Sequence, residues 1–122
     1  MPAKKKEQPK SPKVTLPALA PGEVGKLTTA QVFEALDAVL IVDGRSKGER
    51  RLKGIIDSVM FNPKTKGNEF SRNKPIVTVS WFGLRSLVLA YALRKRGFKV
   101  YDMEGGLFRW LLEKRPAAQL FD

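Results

Sequence analysis

Two short runs of this chain, VLIVD at 39–43 and IVTVS at 76–80, leave almost no polar position free to face water. A strand with one wet face alternates apolar with polar residues, whereas an unbroken Val, Leu and Ile run predicts a strand covered on both faces, the habit of parallel sheets. Parallel neighbours cannot be joined by a tight hairpin; each pair needs a crossover, usually a helix. Thr28 followed by Gln31 is a capping-box pattern, and Val32, Phe33, Leu36 and Val39 give a short helix its apolar positions. GRSKGERRLKG at 44–54 reads as a polar turn, residues 58–61 as a short strand and 62–74 as a loop. The stretch 87–93 is apolar on every side, which predicts a helix held between layers and closed by Arg94, Lys95 and Arg96 with Gly97 as its cap. FKVYDM at 98–103 supplies a last strand, after which Gly105 and Gly106 turn into LFRWLLEK, with Leu107, Trp110 and Leu111 on one face. This alternation predicts an α/β fold, a three-layer sandwich with a mainly parallel central sheet and helices on both faces.

The 122 residues suffice for one domain with its own core. They include neither cysteine nor histidine, which excludes thiolate nucleophiles, disulfides, thiolate zinc sites, imidazole bases and histidine-ligated metals. Any catalysis falls to Ser, Tyr, Lys, Arg or carboxylates, and no metal or cofactor is expected. Lys and Arg number 23 against 12 Asp and Glu, a formal charge of +11. Lys4, Lys5, Lys6, Lys10 and Lys13 lie in a Pro-rich stretch without periodicity, so 1–25 reads as a basic, disordered or extended tail and 26–122 as the folded domain. Such charge suits a polyanionic neighbour: nucleic acid, anionic lipid or an acidic protein face. Arg50, Arg51 and Lys53, and Arg94, Lys95, Arg96 and Lys99, read as further basic surface. No run of about 18 apolar residues is present and the lysine-rich start lacks the apolar stretch of a secretory signal, so a soluble, intracellular protein is expected.

In open α/β sheets ligands bind beyond the carboxyl ends of the strands. Asp43 and Arg45 follow one such end. Ser80, Trp81, Phe82, Gly83, Leu84, Arg85 and Ser86 follow another, in a tight loop that runs into a helix start. Consecutive backbone N–H groups there, with the helix dipole behind them and Arg85 beside them, can hold an anion; an ordinary strand-to-helix turn has the same residues. Asp102 and Glu104 near a third strand end are weaker candidates, as metal ligands or as braces of the turn.

The order VLIVDGR, GIIDSVMFN, IVTVSWFGLRS and VYDMEGGLFRW resembles the single-domain rhodanese-like module. The resemblance covers 26–116, and its most specific parts are Gly83-x-Arg85-Ser86 and Glu104-Gly105-Gly106-Leu107 with Trp110. It implies the rhodanese-like α/β fold and places a persulfide-carrying cysteine three residues before the loop glycine, where this chain has Ser80. A hydroxyl has a far higher pKa than a thiol and cannot hold a transferable sulfane sulfur, so thiosulfate sulfurtransferase activity is expected to be absent. The family's loop is small and polar; here Trp81, Phe82 and Leu84 either fill the former substrate pocket, the preferred reading, or form an apolar patch for a partner.

The function expected is that of a catalytically inactive rhodanese-like domain acting as a binding or scaffold subunit of a larger protein or ribonucleoprotein assembly, its lysine tail on a polyanion. Two alternatives stay open. One is a sensor of small anions or sulfur compounds that uses residues 80–85. The other is a thiosulfate sulfurtransferase whose cysteine has been replaced by serine through engineering.

Overall fold

The computed structural model describes residues 14–122; Lys4, Lys5, Lys6, Lys10 and Lys13 lie outside the described residues. Its centre is a sheet of β1 (Gly25–Leu27), β2 (Leu40–Asp43), β3 (Val59–Met60), β4 (Ile76–Val79) and β5 (Val100–Met103). The strands are all parallel, in the order β1-β5-β4-β2-β3. The helices are α1 (Thr29–Glu34), α2 (Lys47–Leu52), α3 (Leu84–Lys95) and α4 (Gly106–Leu112).

The unbroken apolar runs are explained by where successive side chains go. Ile41, Val77, Val79, Tyr101 and Met103 join one core cluster with Val32 from α1 and Leu107 and Trp110 from α4. Val42, Ile76 and Val100 join the other, with Leu89, Ala90 and Leu93 from α3. Each central strand therefore feeds both layers, and the three-layer α/β expectation holds. Gly97 takes φ +95° beyond the end of α3, as a helix-terminating glycine should.

Three details differ from the sequence reading. The stretch 44–54 contains α2, whose N-cap Ser46 and residue Glu49 form a reciprocal capping box. The first helix stops at Glu34; a 3-10 turn at Leu36–Ala38 follows, and Val39 leads into β2. Helix α3 is not enclosed: Leu89, Ala90 and Leu93 are buried, whereas Val88 and Tyr91 face solvent, because the sheet covers one face of the helix only.

Residues 14–24 form no strand or helix, yet they belong to the packed unit. Val14, Leu16 and Leu19 pack against the core, and the Tyr101 hydroxyl donates to the Pro17 carbonyl. A Cβ on Gly25 would stand 2.4 Å from the Tyr101 ring and 2.7 Å from Leu19, so β1 can pass here only as glycine. A chain starting at Gly22 is expected to lose roughly 2 kcal/mol against one starting at Val14, the worth of a few half-buried aliphatic side chains. Urea unfolding reads the loss; equal midpoints would mean that these contacts add nothing.

Candidate functional site

Strand β2 continues outward to β3, whereas the chain from β4 returns to β5, so the path reverses between β2 and β4. A crevice opens at such a switch point, and the segments after both strands meet there. The loop after β4 is held from outside by α4. The amides of Leu107 and Phe108 donate to the carbonyls of Ser80 and Trp81 at 2.8 and 2.9 Å. A Cβ on Gly106 would fall 2.4 Å from the Trp81 carbonyl oxygen and 2.6 Å from that of Ser80, and Gly106 has φ +64°. The second glycine of the Glu104-Gly105-Gly106 turn is thus what lets α4 dock on the loop.

Ser80 is buried, and its Oγ sits at the focus of the turn. It accepts the Gly83 and Ser86 amides, each at 3.1 Å, and donates to Ser86 Oγ at 3.0 Å. Ser86 Oγ in turn donates to the Gly83 carbonyl at 3.2 Å. Gly83, at φ +98°, is the N-cap of α3 and has no side chain to offer, so the Ser80 hydroxyl satisfies a first-turn amide in its place.

Arg85 does not point at these amides. Its guanidinium forks onto Glu49 of α2, with N···O distances of 3.1 and 2.6 Å. The Arg85 hydrogen bond, helped by the Ser46 amide, holds the Glu49 carboxyl at about 2. Asp43 and Arg45 support the site from below. Asp43 accepts from the Arg45 amide and Nε, both at 3.0 Å, and from Arg45 Nη2 at 2.9 Å. Arg45 also reaches the Lys53 carbonyl at 2.7 Å and lies 4.6 Å over the Trp81 ring.

Arg50, expected on a basic surface, is instead buried. It binds Asp43 at 3.1 Å, Ser58 Oγ and carbonyl at 3.0 Å each, and Asp122 at 2.6 and 3.0 Å. A buried guanidinium needs this many acceptors, and they come from positions too far apart in sequence to be read as a set. Arg51 stays outside, over the Phe121 ring.

The loop's apolar residues divide. Trp81 is half-buried, against the core and under Arg45, whereas Phe82 and Leu84 are 69% and 75% exposed. With Ser80 and Arg85 they line an open cleft of about 260 Å³. Trp81 thus packs inward, whereas Phe82 and Leu84 face solvent.

Asp102, on the α3 side of β5, is buried beneath the same loop and accepts from Thr78 Oγ1 at 2.9 Å. Among the described residues no group of three or more His, Cys, Asp or Glu is arranged to hold a metal. Burial pushes the Asp102 carboxyl above its ordinary value, against the pull of the Ser86 and Thr78 hydroxyls. A carboxyl raised on folding favours the native state below the ordinary carboxylate range and loses that contribution as pH climbs through the raised value. Asp102→Asn, which still accepts from Thr78, should raise the melting temperature at about pH 8 and much less at about pH 4. Equal gains at both would show that ionisation is not the cause.

The chain was compared with known proteins. Residues 28–113 match the rhodanese-like domain family. A tRNA uridine(34) hydroxylase of Corynebacterium diphtheriae is 29% identical over 103 residues, which cover 75% of this chain and 32% of the hydroxylase. The chain thus spans about a third of that relative. A putative sulfurtransferase of Bacillus subtilis, YtwF, is 27% identical over 101 residues, covering 77% of this chain and 97% of YtwF. A rhodanese-related protein of Thermoplasma volcanium superposes with a TM-score of 0.70 at 24% identity, covering 79% of this chain and 99% of that one. The fold agrees with these matches: the chain belongs to the rhodanese-like domain family and carries Ser80 where the family has its catalytic cysteine.

Proposed function

We propose that the chain works by binding, as a rhodanese-like domain without sulfur-transfer chemistry that serves as a scaffold or accessory subunit of a larger protein or ribonucleoprotein assembly. The observation that carries this reading is the bonding of Ser80 Oγ. A buried hydroxyl that takes up two loop amides is a structural cap, and no base stands among its hydrogen-bond partners to activate it. The relative named for tRNA chemistry supports RNA as part of the assembly, and Lys4, Lys5, Lys6, Lys10 and Lys13 suit its phosphates. The anion-sensor reading is less favoured, because Arg85 would have to leave Glu49 to serve it.

Sedimentation of a gentle extract of the source cells tests the proposal. The chain should travel in a large particle, and ribonuclease should release it if RNA holds the particle together. Removing residues 1–13 should weaken association and flatten its dependence on salt. Migration near 13.7 kDa with and without ribonuclease would sink the reading.

A second reading is favoured by the geometry around Ser80 and by the name of YtwF, which this chain matches over nearly its whole length. Two amides converge where a thiolate would need stabilising, so the loop could serve a sulfurtransferase whose cysteine has become serine. Ser80→Cys, treated with thiosulfate, should then gain the mass of one sulfur atom. No gain, with the variant folded, would leave the binding role alone.

A further inference from the structure

Large apolar side chains form one exposed line across two helices and the loop between them. It runs from Leu112 to Phe108 on α4, to Phe82, to Leu84, and on to Val88 and Tyr91 of α3. Exposure along it ranges from 49% at Phe108 to 75% at Leu84. The line is continuous: Leu112 and Phe108 are one helical turn apart, the rings of Phe108 and Phe82 have centroids 5.3 Å apart, and Phe82 and Leu84 wall the same cleft. Leu84, Val88 and Tyr91 then fall at i, i+4 and i+7, the spacing of one face of a helix. Scattered exposed apolar residues need no explanation, but a contiguous set marks an interaction surface.

The charge around the line selects the partner. Neither α3 nor α4 contains Asp or Glu; Arg85 pairs with Glu49 and Arg109 with Glu113, just beyond α4, which leaves Arg94, on the Phe98 and Ala20 carbonyls, and the exposed Lys95 as the surplus positive charge. Lys95 continues the α3 stripe one turn beyond Tyr91. A second copy of a chain with formal charge +11 would bring the same cations to the same line. An amphipathic helix can lay its apolar stripe against Leu84, Val88 and Tyr91, with a carboxylate along its edge reaching Lys95. We propose that this line docks an amphipathic, acidic helix of a partner protein. The inference rests on the binding role proposed above and names the surface and the partner chemistry for it.

The test uses the full chain and two fluorescein-labelled peptides of about 18 residues, long enough to hold a helix. Both carry leucines at i, i+3, i+4 and i+7; one has glutamate at the remaining positions and the other lysine. The glutamate peptide should bind at least about tenfold more tightly than the lysine peptide, and Val88→Glu should weaken it by a similar factor. Val88 is largely exposed, so unchanged melting of the variant shows that the fold is kept. Equal binding of the two peptides, binding of neither, or an affinity untouched by Val88→Glu overturns the proposal. So does a concentration-dependent dimer, or co-flotation with phosphatidylserine vesicles, that Val88→Glu abolishes. A Val88→Glu chain that still sediments in the large particle removes this surface from the assembly while leaving the binding role in place.

Discussion

The constraint on which this structure depends is that β2, β4 and β5 are covered on both faces. Their backbone groups are consumed by parallel pairing and their side chains by two separate core clusters. Nothing chemical can happen along such strands, and function is pushed to their ends. The reversal of the chain path between β2 and β4 then selects which ends open into a crevice. Ser80, Asp43 and Arg45 lie there because topology brings those two strand ends together, whatever chemistry the residues support.

That crevice is occupied by bonds the chain makes with itself. The Ser80 hydroxyl takes two of the amides that would otherwise face a ligand, and Glu49 takes Arg85. Trp81 lies under Arg45, whose own donors are committed to Asp43 and the Lys53 carbonyl. Gly83, Gly106 and the docking of α4 fix the loop backbone together with the Ser80 hydroxyl. A hydroxyl at position 80 is thus compatible with the fold, because it serves the turn as a hydrogen-bond acceptor.

Much of this was legible in the sequence, for identifiable reasons. The buried strands announce themselves by composition, and the Thr28 capping box by spacing. The Ser46 and Glu49 box has the same form, but its charged surroundings made the stretch read as a turn. Contacts over long sequence separations were not legible. Arg50 looks like any surface arginine until Ser58 and Asp122 are placed beside it, and Arg85 looks like an anion ligand until α2 delivers Glu49. Val14, Leu16 and Leu19 pack against the core, yet they are irregularly spaced and the lysines and prolines around them dominate any compositional reading.

Phe82 and Leu84 are placed to form the centre of the proposed contact. Trp81 packs inward against the core. Phe82 and Leu84 instead project outward, and they meet apolar residues on helices that cover opposite faces of the sheet. The loop after β4 joins those two helices, so a continuous line across both layers passes through it. The surplus of cations over acids along the two helices, with Lys95 at the end of the α3 stripe, would then give that line a choice of partner. Apolar burial would supply most of the affinity, and charge most of the selectivity.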